Sequence, residues 1–359
     1  MVDKKSFSRR HVLAGLGATA VGGLAGCGGG QGDSGSDDDT IRAAWIYNTN
    51  IGDLGWTYAH EQGRLSVEEE FDWIETAYTE SVAPADVERV LQQYTNNGYD
   101  VIYGCTFDYM DPMLSVASEN PDTTYEHCAG YQTSENMGRY FGRVYEPRYL
   151  SGIAAAHLTE SDTLGFVGAF PITQVIRGIN AFALGALSVD PDLDIEIQYV
   201  NSWYDPPAEE QAAQTLIDNG ADVITQHQNS PAPVRAASNA DVWSIGFNAP
   251  MGEYGGEKYV TSPIWGWDAF YAQSLQELKN DDWSADFDWG GVGDGYVALD
   301  DFGPNVSDEA VSAVEDARTE LVDGDTTVWS GSKFADSDDT FLFQEMSSYV
   351  DGIDATVPE

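Results

Sequence analysis

From Thr40 onward the chain alternates short runs of β-branched and aromatic residues with amphipathic helical segments, and few folds accept such a pattern. Strands are expected at residues 41–48, 72–81, 100–106, 163–170, 194–202, 222–229 and 241–248. Helices are expected at 56–70, 84–97, 110–119, 172–188 and 207–219, with a short one ending near Asn239. Strands joined by helices predict parallel sheets covered on both faces. One pattern also occurs twice, as Asn96-Asn97-Gly98-Tyr99-Asp100-Val101-Ile102 and as Asp218-Asn219-Gly220-Ala221-Asp222-Val223-Ile224. In both copies a helix is expected to end at the glycine, which accepts the left-handed backbone of a C′ position, and a strand follows. Two similar α/β lobes are therefore expected. Sheets of this kind bind ligands at the loops beyond the carboxyl ends of their strands.

The segment before this body reads as an address. Arg9-Arg10 follow two lysines and precede a weakly apolar, Gly/Ala-rich run, the layout of a twin-arginine export signal. That run is too short to span the roughly 30 Å of a bilayer core. It ends in Leu24-Ala25-Gly26-Cys27, which resembles a lipobox whose cysteine becomes the lipid-bearing first residue. Residues 1–26 are thus expected to be a lipoprotein signal, and 27–39 a flexible Gly/Ser/Asp tether. The protein is expected on the extracellular face of the cell membrane, held by its lipid. Of the remaining cysteines, Cys105 and Cys128 are expected to be buried thiols, although a disulfide is permitted outside the cell.

Charge narrows the partners. Asp and Glu number 60 against 16 Lys and Arg, a net charge of −44, and beyond the signal the only lysines are Lys258, Lys279 and Lys333. Such a surface repels nucleic acid, so no nucleic-acid partner is expected. Scattered acids with so little lysine fit a protein of an extreme halophile, because at about 1 M salt the Debye length falls to roughly 3 Å and self-repulsion is screened.

No histidine pair has metal-ligand spacing, and no phosphate loop, dinucleotide fingerprint or nucleophile elbow follows a strand. No metal, cofactor or catalytic residue is expected. The strand-end loops are instead rich in aromatic and amide side chains: Gly52-Asp53-Leu54-Gly55-Trp56-Thr57, Thr106-Phe107-Asp108-Tyr109, Phe170-Pro171, Trp203-Tyr204 and His227-Gln228-Asn229. Rings can stack on the faces of a planar ligand while amides read its donor and acceptor rim. The ligand-binding candidates in these loops are Asp53, Trp56, Thr57, Phe107, Tyr109, Phe170, Trp203, Gln228 and Asn229.

Residues 41–359 resemble the basic-membrane-protein (BMP) or PnrA-like family of substrate-binding lipoproteins of ABC importers. The segments that carry the likeness are Gly52 to Gly63, Tyr145-Glu146-Pro147-Arg148-Tyr149-Leu150-Ser151-Gly152, Arg177 to Ala186, Trp203-Tyr204-Asp205-Pro206 and Gly220 to Ile224. The resemblance implies a type I periplasmic-binding fold, in which two Rossmann-like lobes with parallel sheets are joined by a hinge. Lobe 1 would comprise residues 40–128 plus about 262–292, and lobe 2 residues 129–261 plus about 293–359. It also implies a purine base or nucleoside as ligand. Trp56 and Trp203 would stand where the family stacks phenylalanines on the base. Asn248 would stand where nucleoside receptors hold ribose with an aspartate, a departure that weakens ribose recognition. The expected partners are a small-molecule ligand and ABC permease subunits, and the expected state is a monomer. Two alternatives are a sensor that presents its closed form to a membrane receptor, and an enzyme using Asp53, Asp108 or His227 as acid or base.

Overall fold

The computed structural model describes residues 40–358; the expected export signal with Arg9 and Arg10, Cys27 and the expected tether fall outside the described residues. The chain begins with β1 (Ile41–Ile46), α1 (Trp56–Glu70), β2 (Ile74–Thr79), α2 (Val87–Asn96), β3 (Val101–Gly104), α3 (Met110–Glu119), β4 (Thr124–Cys128) and β5 (Met137–Gly142). It continues through α4 (Tyr145–Leu158), β6 (Thr163–Gly168), α5 (Thr173–Val189), β7 (Asp194–Tyr199), α6 (Pro206–Asn219), β8 (Val223–Gln226), α7 (Ala232–Asn239), β9 (Trp243–Ile245), the short α8 (Gly252–Gly255) and β10 (Tyr259–Thr261). The last elements are β11 (Pro263–Trp265), α9 (Trp267–Lys279), β12 (Phe287–Gly290), β13 (Val297–Leu299) and α10 (Asp308–Asp323), followed by a π-helical turn at Phe341–Glu345.

Two parallel sheets result. Their strand orders are β12-β5-β4-β3-β1-β2 and β10-β9-β8-β6-β7. The first five strands of each half are laid down in the same spatial order, and the sequence repeat falls on the same step of each. α2 and α6 end at Gly98 and Gly220, with φ of 72° and 115°, and β3 and β8 then pair beside β1 and β6. Both faces of the sheets are covered. Along β1, Ala43 and Trp45 enter one apolar cluster and Ala44 and Ile46 another, the two-residue period of a strand buried on both sides.

The helices expected at 56–70 and 110–119 occur with those bounds. The strands are shorter than expected because their carboxyl ends open into irregular loops. α2 begins at Val87 rather than Pro84; Pro84 lies in a preceding turn closed by Asp86 N–H donating to Ala83 O at 2.9 Å. β5 lies in the first sheet, paired with β4 and β12, although the residues after 128 were expected in the second lobe. The chain lays down this further strand before it crosses over. Cys105 and Cys128 are buried free thiols, and burial pushes the Cys105 thiol up to about 12.

Beside the second sheet α4 crosses α5 at Gly152 and Gly185, where a Cβ on either would collide with the other helix's backbone at Phe182 or Tyr149. The chain also passes between the sheets after β5, through β11 and through β13. β11 and β13 form an antiparallel ribbon with Trp265 opposite Val297, and a Cβ on Gly142 would lie 2.6 Å from Val297 Cγ1 and 2.9 Å from Trp265 Cζ3. The three crossings are thus packed against one another.

Candidate functional site

Because the strands of each sheet run parallel, their carboxyl-end loops gather at one edge, and the two edges face each other. Between them lies a cavity of about 810 Å³. The first sheet supplies Asn48 and Trp56 after β1 and Phe107 and Asp108 after β3. The second supplies Phe170 after β6, Trp203 after β7, His227, Gln228 and Asn229 after β8, and Asn248 after β9.

Trp56 opens α1 and is wedged rather than free. Its Nε1–H donates to Cys105 O at 2.7 Å, and its ring meets His60, Trp265 and Trp267 edge-on at centroid distances of 4.6, 5.2 and 5.6 Å. Trp203 is its counterpart on the other lobe. It is 40% exposed and touches Phe170 at 5.3 Å and His227 at 6.1 Å. Cavity-lining apolar rings therefore come from both lobes.

The polar groups fall into two kinds. Asn229 and Asn248 are committed to protein partners. Asn229 Oδ1 accepts from Trp56 N–H at 3.2 Å and from Asn248 Nδ2 at 2.8 Å, while Asn248 Oδ1 accepts from Trp265 Nε1–H at 2.7 Å. Asn248 also holds φ of 68°, a left-handed conformation that asparagine tolerates. Gln228 is the opposite case. It is 1% exposed, and neither end of its side-chain amide has a partner in the protein. A buried amide without partners is costly, so this one is aimed at something else that hydrogen-bonds. His227 is equally buried with Nδ1 unpaired; burial, reinforced by Arg148 and Arg177, holds it well below the usual histidine range, so it is neutral.

Seven of the ten candidates line the cavity: Trp56, Phe107, Phe170, Trp203, Gln228, Asn229 and Asn248. The other three do not. Asp53 is exposed and is absent from the cavity wall. Thr57, one helical step from Trp56, is turned away and shares a 2.6 Å hydrogen bond with Thr49 Oγ1. Tyr109 is fully buried and donates to Val82 O at 2.6 Å. Phe107–Tyr109 is one turn of 3₁₀ helix, which points residues two apart in different directions. Residues that the sequence did not single out also line the cavity, among them Asn48, Phe141, Arg177, Phe247 and Phe343. A signal existed for Arg177, a lone charge inside the otherwise apolar α5. None existed for Phe343, which a long irregular segment delivers. Among the described residues, no group of three His, Cys, Asp or Glu could hold a metal ion, and no helix is long and apolar enough to cross a membrane.

Comparison with known proteins follows the same lines. A family model described as "ABC transporter substrate-binding protein PnrA-like" matches residues 40–328. The chain is 49% identical to a Haloferax volcanii protein provisionally named an ABC transporter glucose-binding protein, over 99% of each chain. It is 33% identical to a purine-binding protein of Brucella abortus, over 90% of this chain and 95% of that one. Among solved structures, an ABC transporter solute-binding protein of Conexibacter woesei superposes with a TM-score of 0.71 at 21% identity, over 80% of this chain and 98% of that one. The last likeness is one of fold, and the architecture is the expected type I periplasmic-binding fold with its two α/β lobes.

Proposed function

Because this chain belongs to the PnrA-like family of ABC transporter substrate-binding proteins, we propose that it captures a purine base or nucleoside in the cleft between its lobes and delivers it to a permease. The observation that carries this reading is Gln228. Its unpaired amide, with one donor face and one acceptor, lies in a cavity walled by aromatic rings, which suits the edge of a planar heterocycle. A relative named as purine-binding supports it. Binding without covalent chemistry accounts for the site, since its one lining carboxylate, Asp108, is exposed at the rim. Ligand would close the lobes, and the closed form would dock and release.

A second reading is a hexose, favoured by the relative named as glucose-binding. Titration in molar salt with adenine, guanine, adenosine, guanosine and glucose, followed by tryptophan fluorescence, separates the two. Saturable binding of purines but not glucose is expected. Binding of glucose alone would sink the purine reading.

The remaining proposals concern place and medium. Twin-arginine export and a lipid on Cys27 would hold the protein at the outer face of the cell membrane as a monomer, and the acidic surface would suit molar salt. Cys27→Ser should release folded protein into the medium. Retention on the membrane in high salt would argue against the anchor.

A further inference from the structure

Two arginines lie deeper than any other cation of the described chain. Arg148 on α4 and Arg177 on α5 are 0% and 1% exposed. In a protein with 60 acidic residues, neither is paired with one. Arg148 donates to Thr225 Oγ1 at 3.2 Å and Gln226 O at 2.6 Å, and lies 4.1 Å over the Phe247 ring. Arg177 donates through Nη1 to Leu342 O at 2.6 Å and Phe343 O at 3.3 Å, and its Nε has no partner. Burial draws Arg148 down to about 9 and, partly offset by Tyr145, Arg177 to about 10, so both stay charged near neutral pH.

Carbonyls and rings only partly replace the water such a cation gives up. Arg177 lies over the rings of Tyr145, Trp289 and Phe343, and with His227 it forms part of the cavity wall. Gly178, beside Arg177, lies against both His227 and Arg148, so these groups form one cluster. The titratable groups facing Arg177 are Tyr145, which burial keeps protonated, and the neutral His227. An otherwise strongly anionic protein therefore presents a positive pole at the wall of its ligand cavity.

We propose that the cavity selects oxopurines, above all one that carries negative charge, over neutral aminopurines, with Arg177 the residue that matches that charge. This rests on the purine reading above and narrows it. The carbonyl oxygens of an oxopurine accept from guanidinium and amide donors, and deprotonation of a ring N–H places charge on the same edge. An exocyclic amine would instead turn its N–H hydrogens toward a cation. Molar salt does not abolish the preference, because buried pairs are screened much less than exposed ones.

The test is titration calorimetry in molar salt with xanthine, hypoxanthine, adenine and glucose, on the acid and alkaline sides of xanthine's own ionisation. Wild type should bind xanthine better than adenine, and the gap should widen as pH rises and xanthine becomes an anion. Arg177→Gln should lower the xanthine-to-adenine affinity ratio about 10- to 150-fold, the range for a hydrogen bond to a charged group. Arg177→Lys should restore part of that ratio. If the variant weakens all purines alike, Arg177 only tethers the turn at Leu342 and Phe343, and the proposal is overturned. A wild-type preference for adenine at both pH values overturns it without any variant. If no purine binds while glucose does, the purine reading fails together with this one.

Discussion

The backbone N–H of Trp56 donates to Oδ1 of Asn229 at 3.2 Å, and this single bond joins loops 173 residues apart on opposite lobes. It is made possible by Gly55, whose φ of 93° and missing Cβ let the first loop come within contact of the Asn229 backbone; a Cβ there would sit 3.0 Å from Asn229 O. The described conformation is therefore one in which the lobes touch. Asn229→Ala should weaken ligand binding about 2- to 13-fold, the worth of one ordinary hydrogen bond. Most of the change should be in the dissociation rate, measured by stopped-flow fluorescence, because a latch acts after closure. An unchanged dissociation rate would show that this contact does not hold the closed form.

Asn248→Asp would exchange the Nδ2 donor for a second oxygen facing Asn229 Oδ1, where a 2.8 Å hydrogen bond now stands. The variant should bind both bases and nucleosides more weakly than wild type and melt at a lower temperature. A selective gain for nucleosides in calorimetry would show instead that this position reaches ribose.

The two tryptophans should respond differently. Trp203 is partly exposed, so Trp203→Ala should weaken a stacked base by about 5- to 150-fold with little change in melting temperature. Trp56 is locked among His60, Trp265 and Trp267, so Trp56→Ala should also cost about 3–5 kcal/mol of stability. Paired thermal melts and titrations distinguish the cases. Loss of stability without loss of affinity in both variants would make these rings packing alone.

Glu126 on β4 is buried, accepts from Trp283 Nε1–H at 2.7 Å, and is pushed by burial from about 4.5 to about 8. A raised carboxyl pKa means that the folded state holds a proton the unfolded chain has lost. The resulting stability is complete below about pH 4.5 and is lost as pH rises through about 8. Glu126→Gln keeps the acceptor and removes the titration. Its melting temperature should match wild type near the acid end and exceed it near pH 8. Parallel curves across that range would place the ionisation elsewhere.

Removing salt should unfold the protein in part. Among the described ion pairs only Arg64–Glu61 is buried on both sides, so few acids have a compensating cation once screening is lost. Melting temperature should climb steadily from dilute buffer to molar salt. A flat profile would contradict the adaptation read from composition.

The bounds of α1 and α3, the paired lobes and the gathering of strand-end loops were legible because hydrophobic period and turn chemistry are local signals. β5 was not, since it finds its partner β12 nearly 150 residues later. Trp56, Trp203 and Gln228 could be chosen from loop position alone. The commitment of Asn248 to Trp265 and Asn229 depends on contacts between segments that sequence spacing does not reveal.

The meeting of Gly142, Trp265 and Val297 sets how the cleft can move. Chain crossings gathered at one spot act as a pivot, so opening is a rotation, and displacement grows with distance from it. Asn248, whose N–H donates to Pro263 O at 3.0 Å two residues from Trp265, sits almost on the axis and hardly moves. Phe107, 55% exposed on the cavity wall, stands on a loop apart from the crossings and so travels with its lobe. The jaw can therefore open for exchange of ligand while the groups at its root keep their spacing.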